Sequence, residues 1–363
     1  MLGYRIVKRQ SALRGGEITI LLGGLSFAFT VCGFLLLVQD KPPLECFRLL
    51  FEGGFGSGLS LEDTLLKTIP IFLCSLGVAI AFRMQIWNIG AEGQFALGAV
   101  GATWAVLTFP DLPMLFMLPT ILVCAAVAGG VWGFIPGLLR LKCGLNEIIS
   151  TLMMNYIGIL FLQYLIYGSW KASGSYGFPM TEIFPDSAIL PPVFGRIHVG
   201  ILLCVLAAVL LGVFLRHTRL GFEILVGGEN PRAAQYARMP YGFLVVLVMA
   251  LSGALAGIAG CVEVSATFNR LQPDIATGYG YTAIVVAWLS RLKITSIALF
   301  SFLLAGLRVG VENLQLLMQI PVAFGGILEG LILLAVLAGQ CFHTYTVQRT
   351  TLANDPHSNG VDA

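Results

Sequence analysis

Runs of about 20 mostly apolar residues recur along almost the whole chain, and a run of that length is what an α-helix needs to cross a bilayer. In lipid every backbone N–H and C=O must find a partner within the protein, so such runs fold as helices. The runs are 18–38, 65–82, 89–109, 113–139, 146–167, 198–215, 241–261, 275–290, 294–311 and 320–342. Of the 363 residues 57% are hydrophobic and 11% charged, where a soluble domain carries about 25% charged residues. Too little polar surface remains to cover a water-soluble particle. The fold class is therefore an all-α, polytopic membrane protein of about ten transmembrane helices. Residues 1–17 read as a cytoplasmic tail, 18–342 as the transmembrane domain and 343–363 as a disordered cytoplasmic tail. A net charge of +2 speaks against a nucleic-acid partner and leaves the lipid bilayer as the first one.

Basic residues fix the orientation, because loops rich in Lys and Arg stay in the cytoplasm. With Arg5, Lys8, Arg9 and Arg14 inside, the inner connections also collect Arg83, Arg140, Lys142, Arg216, Arg219, Arg232, Arg238, Arg291, Lys293 and Arg349. The outer connections hold Asp40, Glu45, Glu52, Glu62, Asp63, Asp111, Glu182, Asp186 and Asp274. The expectation is N-in and C-in. Two outer connections are long. In 39–63 the piece LECFRLLF has the pattern of an amphipathic surface helix. The stretch 168–197, rich in Gly, Pro and Ser, reads as an ordered loop with little regular structure.

Three segments break the apolar pattern. The first is RMQIWNIGAEGQFALGAVGA, 83–102, where Arg83, Asn88, Glu92 and Gln94 are interleaved with Gly90, Gly93 and Gly98. Charged groups at membrane depth must face protein, water or a partner, and broken helices there line a cavity or lie buried in protein. Either WNIGAEGQ, with Trp87, Asn88, Gly90, Glu92 and Gln94, lines a translocation path, or the stretch is a tight inner-face turn. The second is LKCGLNEIISTLMMNYIG, 141–158. Asn146, Glu147, Ser150, Thr151 and Asn155 recur at helical spacing there, and Asn146, Ser150 and Asn155 share a stripe that faces a cavity or bonds a neighbouring helix. The third is RLGFEILVGGENPRAAQYARMP, 219–240. Asn230 suits a helix cap and Pro231 the first helical position. A helix of about two turns then presents Arg232, Gln235 and Arg238, either as a peg for another protein's groove or as a solvated connection. Arg308 and Glu312 are spaced to pair on one helix face. Glu329 lies deep in the last span, where it must be protonated or hydrogen-bonded. In TGYGYTAI, 277–284, Tyr279 and Tyr281 are interface aromatics or stack on a flat ligand.

The chain has no G-x-x-x-x-G-K-[ST], and the dipeptide Gly-Lys is absent, so it carries no P-loop for ATP. His198, His217, His343 and His357 are scattered, and the eight cysteines form no CxxC pair. No metal site and no catalytic constellation is expected.

WNIGAEGQ followed by FALGAVGA, then GLNEIISTLMMNYI, then GGENPRAAQYARM, in this order and spacing, resembles one family: the membrane permease of bacterial ABC importers for nucleosides and simple sugars. This is the branch served by basic-membrane-protein-type binding lipoproteins, more distantly similar to ribose and branched-chain amino acid permeases. The resemblance covers about residues 18–342. It implies the ABC importer permease fold, a homo- or heterodimer with a second permease subunit, a partner ABC ATPase that holds ATP and Mg, and an external substrate-binding lipoprotein. The setting it implies is the bacterial inner membrane. It makes 227–239 the coupling helix that fits the ATPase cleft, with Glu229, Asn230, Arg232, Ala233, Ala234, Tyr236 and Arg238 as its contact set. It makes Trp87, Asn88, Gly90, Glu92, Gln94, Asn146 and Asn155 the expected substrate path. The family usually ends the coupling segment in Ala-Gly-Ile; here Ala237-Arg238-Met239 stands instead, and Glu329 replaces an expected neutral amide. The implied function is a non-enzymatic permease subunit for a small polar solute: a nucleoside, or alternatively a ribose-like sugar or a flavin-like solute. From the residues alone, a secondary transporter with Arg83, Glu92 and Glu329 as an ion relay also remains open, as, more remotely, does a membrane-embedded lipid enzyme.

Overall fold

The computed structural model describes residues 2–8, 16–175 and 177–351, with side chains described within 22–339. Its contacts divide the chain into two units, residues 1–47 with 321–363, and residues 48–320.

In the first unit β1, Leu2–Lys8, is followed by α1, Gly16–Val38. The segment α2, Pro43–Phe55, crosses into the second unit and contains the expected amphipathic piece. The second unit continues with α3, Gly58–Arg83; α4, Ala91–Thr108; α5, Met114–Cys143; and α6, Glu147–Tyr167. A loop follows, with one 3-10 turn at Asp186–Ala188 and a small hairpin of β2, Pro192–Phe194, and β3, Ile197–His198. Then come α7, Gly200–His217; α8, Arg219–Glu229; α9, Pro231–Tyr236; and α10, Tyr241–Val262, which runs on as a π-helix over Glu263–Phe268. The second unit closes with α11, Tyr279–Leu289, and α12, Ile294–Met318. The first unit ends with α13, Ala323–Thr344, and β4, Tyr345–Thr351. Where the sequence reads as a disordered tail, β4 pairs antiparallel with β1, from Leu2↔Thr351 to Lys8↔Tyr345. Residues 352–363 lie outside the described residues.

Each of the ten apolar runs is a helix, but only six described helices are long and apolar enough to cross a membrane on their own: α3, α5, α6, α7, α10 with its π extension, and α12. The physical reasons differ. Every residue of α4 except Trp104, Leu107 and Thr108 is buried. A helix enclosed by protein needs no lipid-compatible surface, which leaves room for Glu92 and Gln94. The eleven residues of α11 reach only about 16 Å, half a bilayer.

The second unit is built around α10. Helices α3, α4 and α5 pack closely on it, and the approach depends on missing side chains. A methyl group added to Gly98 would overlap the backbone of Gly257, and one added to Gly253 would overlap the carbonyl of Gly129. Small residues let membrane helices meet backbone to backbone, where packing replaces the hydrophobic driving force. Local caps end the helices cleanly. Ser57 accepts from Ser60 N at the start of α3, and Gly144 takes the left-handed conformation after the basic last turn of α5, Arg140 and Lys142. The loop between α6 and α7 lies along the π-helix and the chain beyond it, with Phe184 N donating to Asn269 O and Thr181 N to Leu271 O.

Candidate functional site

The chain leaves helical geometry after Arg83 and resumes it at Ala91. Gln85 takes a left-handed φ of 55° to make the turn. Seven residues between two packed helices leave backbone groups without a helical partner, and buried polar groups must find one. Asn88, fully buried, supplies much of the answer. Its Nδ2 donates to Gln94 Oε1 at 3.0 Å and to Ser252 Oγ of α10 at 2.8 Å. Its Oδ1 accepts from Gly90 N at 2.9 Å and from Gln94 Nε2 at 3.1 Å. Both donors and both lone pairs of the amide are thus engaged.

A second amide works from α6. Asn155 Oδ1 accepts from Gly93 N at 2.8 Å, and its Nδ2 donates to Ile89 O at 2.8 Å and to Tyr281 Oη at 3.3 Å. Thr151 Oγ1 accepts from Ile89 N at 3.3 Å. Of the two sequence readings for this stretch of α6, interhelical bonding describes Thr151 and Asn155. Asn146 stands apart: it is exposed and caps α6 by accepting from Ile148 N at 2.9 Å.

Glu92, 1% exposed, reaches α11. Its Oε1 accepts from Gly278 N and its Oε2 from Gly280 N, each at 2.6 Å. Two N–H groups addressing both oxygens is the pattern a carboxylate accepts, and the start of a helix favours negative charge. Gly278, at φ 94°, opens the helix in a conformation costly to other residues. Arg308 of α12 lies 5.0 Å from the ring centroid of Tyr279 and donates to Thr277 O at 2.9 Å. Tyr279 Oη donates to Glu263 Oε1 at 3.2 Å, at the start of the π-helix. Glu312, expected to pair with Arg308, meets Lys67 of α3. Glu329 is buried on α13, in the first unit. Arg83 and Glu92, two members of the imagined ion relay, both bond to backbone groups.

Of the expected path residues, Asn88, Gly90, Glu92, Gln94 and Asn155 come together in this buried knot, and Trp87 sits at its rim, 36% exposed. The Trp87 ring packs against Phe82 at 5.3 Å and Trp288 of α11 at 5.2 Å. Sequence reasoning missed Trp288; its one signal is a tryptophan placed just before the basic Arg291–Lys293 turn.

The other candidate is the connection 219–240. Thr218 caps α8 by accepting from Gly221 N at 3.0 Å. This helix was not expected, because RLGFEILVGGE mixes polar and apolar positions. Asn230 ends α8 and begins α9, its Oδ1 accepting from Arg232 N and Ala233 N, both at 3.1 Å. Within α9 only Ala234 is buried; Arg232, Ala233, Gln235 and Tyr236 are exposed, as are Glu229, Asn230 and Arg238 beside it. Arg238 has φ 56°, with Met239 N donating back to Ala234 O at 2.9 Å. The departure from Ala-Gly-Ile thus places arginine where a glycine would be free of strain.

The description "Branched-chain amino acid transport system / permease component" belongs to a family model that matches residues 60–337. The guanosine ABC transporter permease protein NupP of Bacillus subtilis is 34% identical over 91% of this chain and 94% of its own. The glucose ABC transporter permease protein TsgB13 of Haloferax volcanii is 32% identical over 93% of this chain and 90% of its own. The nucleoside ABC transporter permease protein NupB of Lactococcus lactis is 28% identical over 82% and 85%. With its buried glycine-packed helices, its broken α3–α4 junction and its bare capped helix, the chain belongs to this family of ABC transporter permease subunits.

Proposed function

We propose that this chain is one of two permease subunits of an ATP-driven importer, and that the solute it passes is a nucleoside. One observation carries the reading: α9 is shaped by its own cap, anchored by Ala234 alone and otherwise bare, with Tyr236 93% exposed. A short helix fixed in shape but lacking a cover within its own chain fits a groove on another protein. In the ten-span, N-in and C-in arrangement it lies on the cytoplasmic side. The basic last turns of α3, α5 and α7, with Arg83, Arg140, Lys142 and Arg216, support that orientation. The groove belongs to the ATPase, which binds ATP and Mg; an external lipoprotein delivers the solute, and the assembly sits in the bacterial inner membrane.

The amides of the buried knot are taken up within the protein, Asn88 and Gln94 by each other and Asn155 by backbone and the Tyr281 hydroxyl, so a passing solute meets chiefly ring edges and faces, those of Trp87 and Tyr281. Such a path holds its solute loosely and leaves tight recognition to the binding protein. The guanosine permease relative supports a nucleoside; the glucose permease relative, of similar identity and coverage, supports a simple sugar as the second reading. Arg232→Glu combined with Arg238→Glu is expected to abolish co-purification of the ATPase and uptake together; unchanged co-purification overturns the docking assignment. In vesicles holding the whole complex, labelled guanosine should enter and excess glucose should not compete. The reverse preference makes the solute a sugar.

A further inference from the structure

The short helix α11 is held at both ends by one stretch of chain, residues 83–92. At its start Glu92 accepts from Gly278 N and Gly280 N. At its end Arg83 Nη2 donates to Leu292 O at 2.6 Å. The anion lies at the helix N-terminus and the cation just past its C-terminus, the arrangement the helix dipole favours. Between these two grips Trp87 packs on Trp288 of α11. The turn that Arg83 holds is strained: Arg291 and Leu292 have φ of 50° and 60°, two successive left-handed residues that are not glycine. Strain of this kind persists only where surrounding contacts impose it.

The same arginine touches the docking segment. The last turn of α8 lies on the end of α3 so closely that a methyl group on Gly228 would overlap the Arg83 carbonyl oxygen, and Gly227 faces Met84 and Tyr241. Backbone rests on backbone, with no flexible side chain to absorb a displacement. Because Asn230 caps α9 while ending α8, the two helices share a joint and α9 passes its movement to α8.

We propose that Arg83 is the positioning residue through which the docking helix drives the path: α8 pushes its carbonyl, and its guanidinium moves α11 as one body with the 83–92 break. This rests on the ABC importer reading above and names the route within it. Gripped at both ends and packed on Trp87 through Trp288 in its last turn, α11 is the element that opens and closes, and the strained 291–292 turn is where it hinges against α12.

The test uses the whole complex in nanodiscs or vesicles, reading ATP hydrolysed per solute carried. Arg83→Gln keeps a polar side chain but removes the charge and shortens the reach to Leu292 O. The expected result is intact co-purification, hydrolysis within about twofold of the parent, and uptake reduced about tenfold or more, the scale of a typical coupling energy. Arg83→Lys, which restores a donor and the charge, should recover a substantial part of the uptake. Gly228→Ala disturbs the same joint from the other side with Arg83 left in place, and should uncouple likewise; it decides the matter if Arg83→Gln does not assemble. Hydrolysis and uptake falling in proportion in these variants, or uptake unchanged in them, overturns the proposal. Failure of the docking assignment is read separately, from Arg232→Glu with Arg238→Glu: if that pair leaves the ATPase bound, the reading beneath the proposal falls.

Discussion

Removing the charge of Glu92 while keeping its shape isolates the link between α4 and α11. In Glu92→Gln one oxygen remains to accept, and the new amide group faces the second N–H with a donor of its own. One of the two backbone donors, Gly278 N or Gly280 N, both now at 2.6 Å from a carboxylate oxygen, loses its acceptor. A buried donor left unmet costs about 1–3 kcal/mol, and the surviving bond falls from charge-assisted to neutral, about 1 kcal/mol more. Relief from burying a charge offsets part of this, leaving a net loss of about 1–3 kcal/mol. For a chain of this size that lowers the melting temperature by about 1.5–4 °C. Cys74 and Cys261 are fully buried, so a dye that fluoresces on reacting with thiols reports the unfolding of this unit in detergent. Glu92→Asp, one methylene short of both donors, should fall between the parent and Gln. If Glu92→Gln melts within about 1 °C of the parent, the carboxylate does not hold α11 and the clasp is wrong.

Three further outcomes follow from other contacts. Gly98→Ala forces a methyl into the Gly257 backbone and should destabilise by about 2–3 kcal/mol, while Gly212→Ala on α7, whose nearest neighbour is Ile294 Cδ1 at 3.6 Å, should be neutral or gain up to about 1 kcal/mol; equal melting of the two variants would refute the backbone contact. Arg238→Gly relieves the left-handed φ of 56° and should strengthen the end of α9 by about 1 kcal/mol, seen as slower amide exchange at Met239, whose N–H closes onto Ala234 O; faster exchange would contradict it. His198, in the hairpin before α7, is buried and accepts from Gly200 N through Nδ1 at 3.1 Å. Burial lowers its pKa from 6.5 to about 4, so the unfolded chain binds a proton first as pH falls. Its contribution is complete above about pH 6.5 and declines as pH drops toward 4, by about 3 kcal/mol in all. In His198→Asn, which keeps an acceptor for Gly200 N, melting should depend less on pH across that window, and an unchanged slope would show the histidine to be solvated.

Apolar length, legible in the sequence, placed all ten helical segments, because hydropathy is a local property. Their ends depend on single caps instead. The run that begins apolar at 65 starts as a helix at Gly58, where Ser57 accepts from Ser60 N, and the run expected from 275 starts only at Tyr279, after the left-handed Gly278. The β1–β4 pairing joins segments near opposite ends of the chain, and nothing local in either strand marks the other. The polar residues of the site stood out for the same reason the helices did: Asn88, Glu92, Gln94 and Asn155 are costly in an apolar run unless engaged. What they engage was hidden. The partners are Ser252, a small residue of ordinary type 164 positions from Asn88, and the main-chain N–H groups of Gly278 and Gly280, 186 and 188 positions from Glu92. A backbone amide carries no side-chain signature, so its role exists only once the fold brings it near. A polar side chain in an apolar span therefore announces that a partner exists without saying which. In this chain those four residues bind the start of α4 to α6, α10 and α11, with the Trp87 ring at the rim.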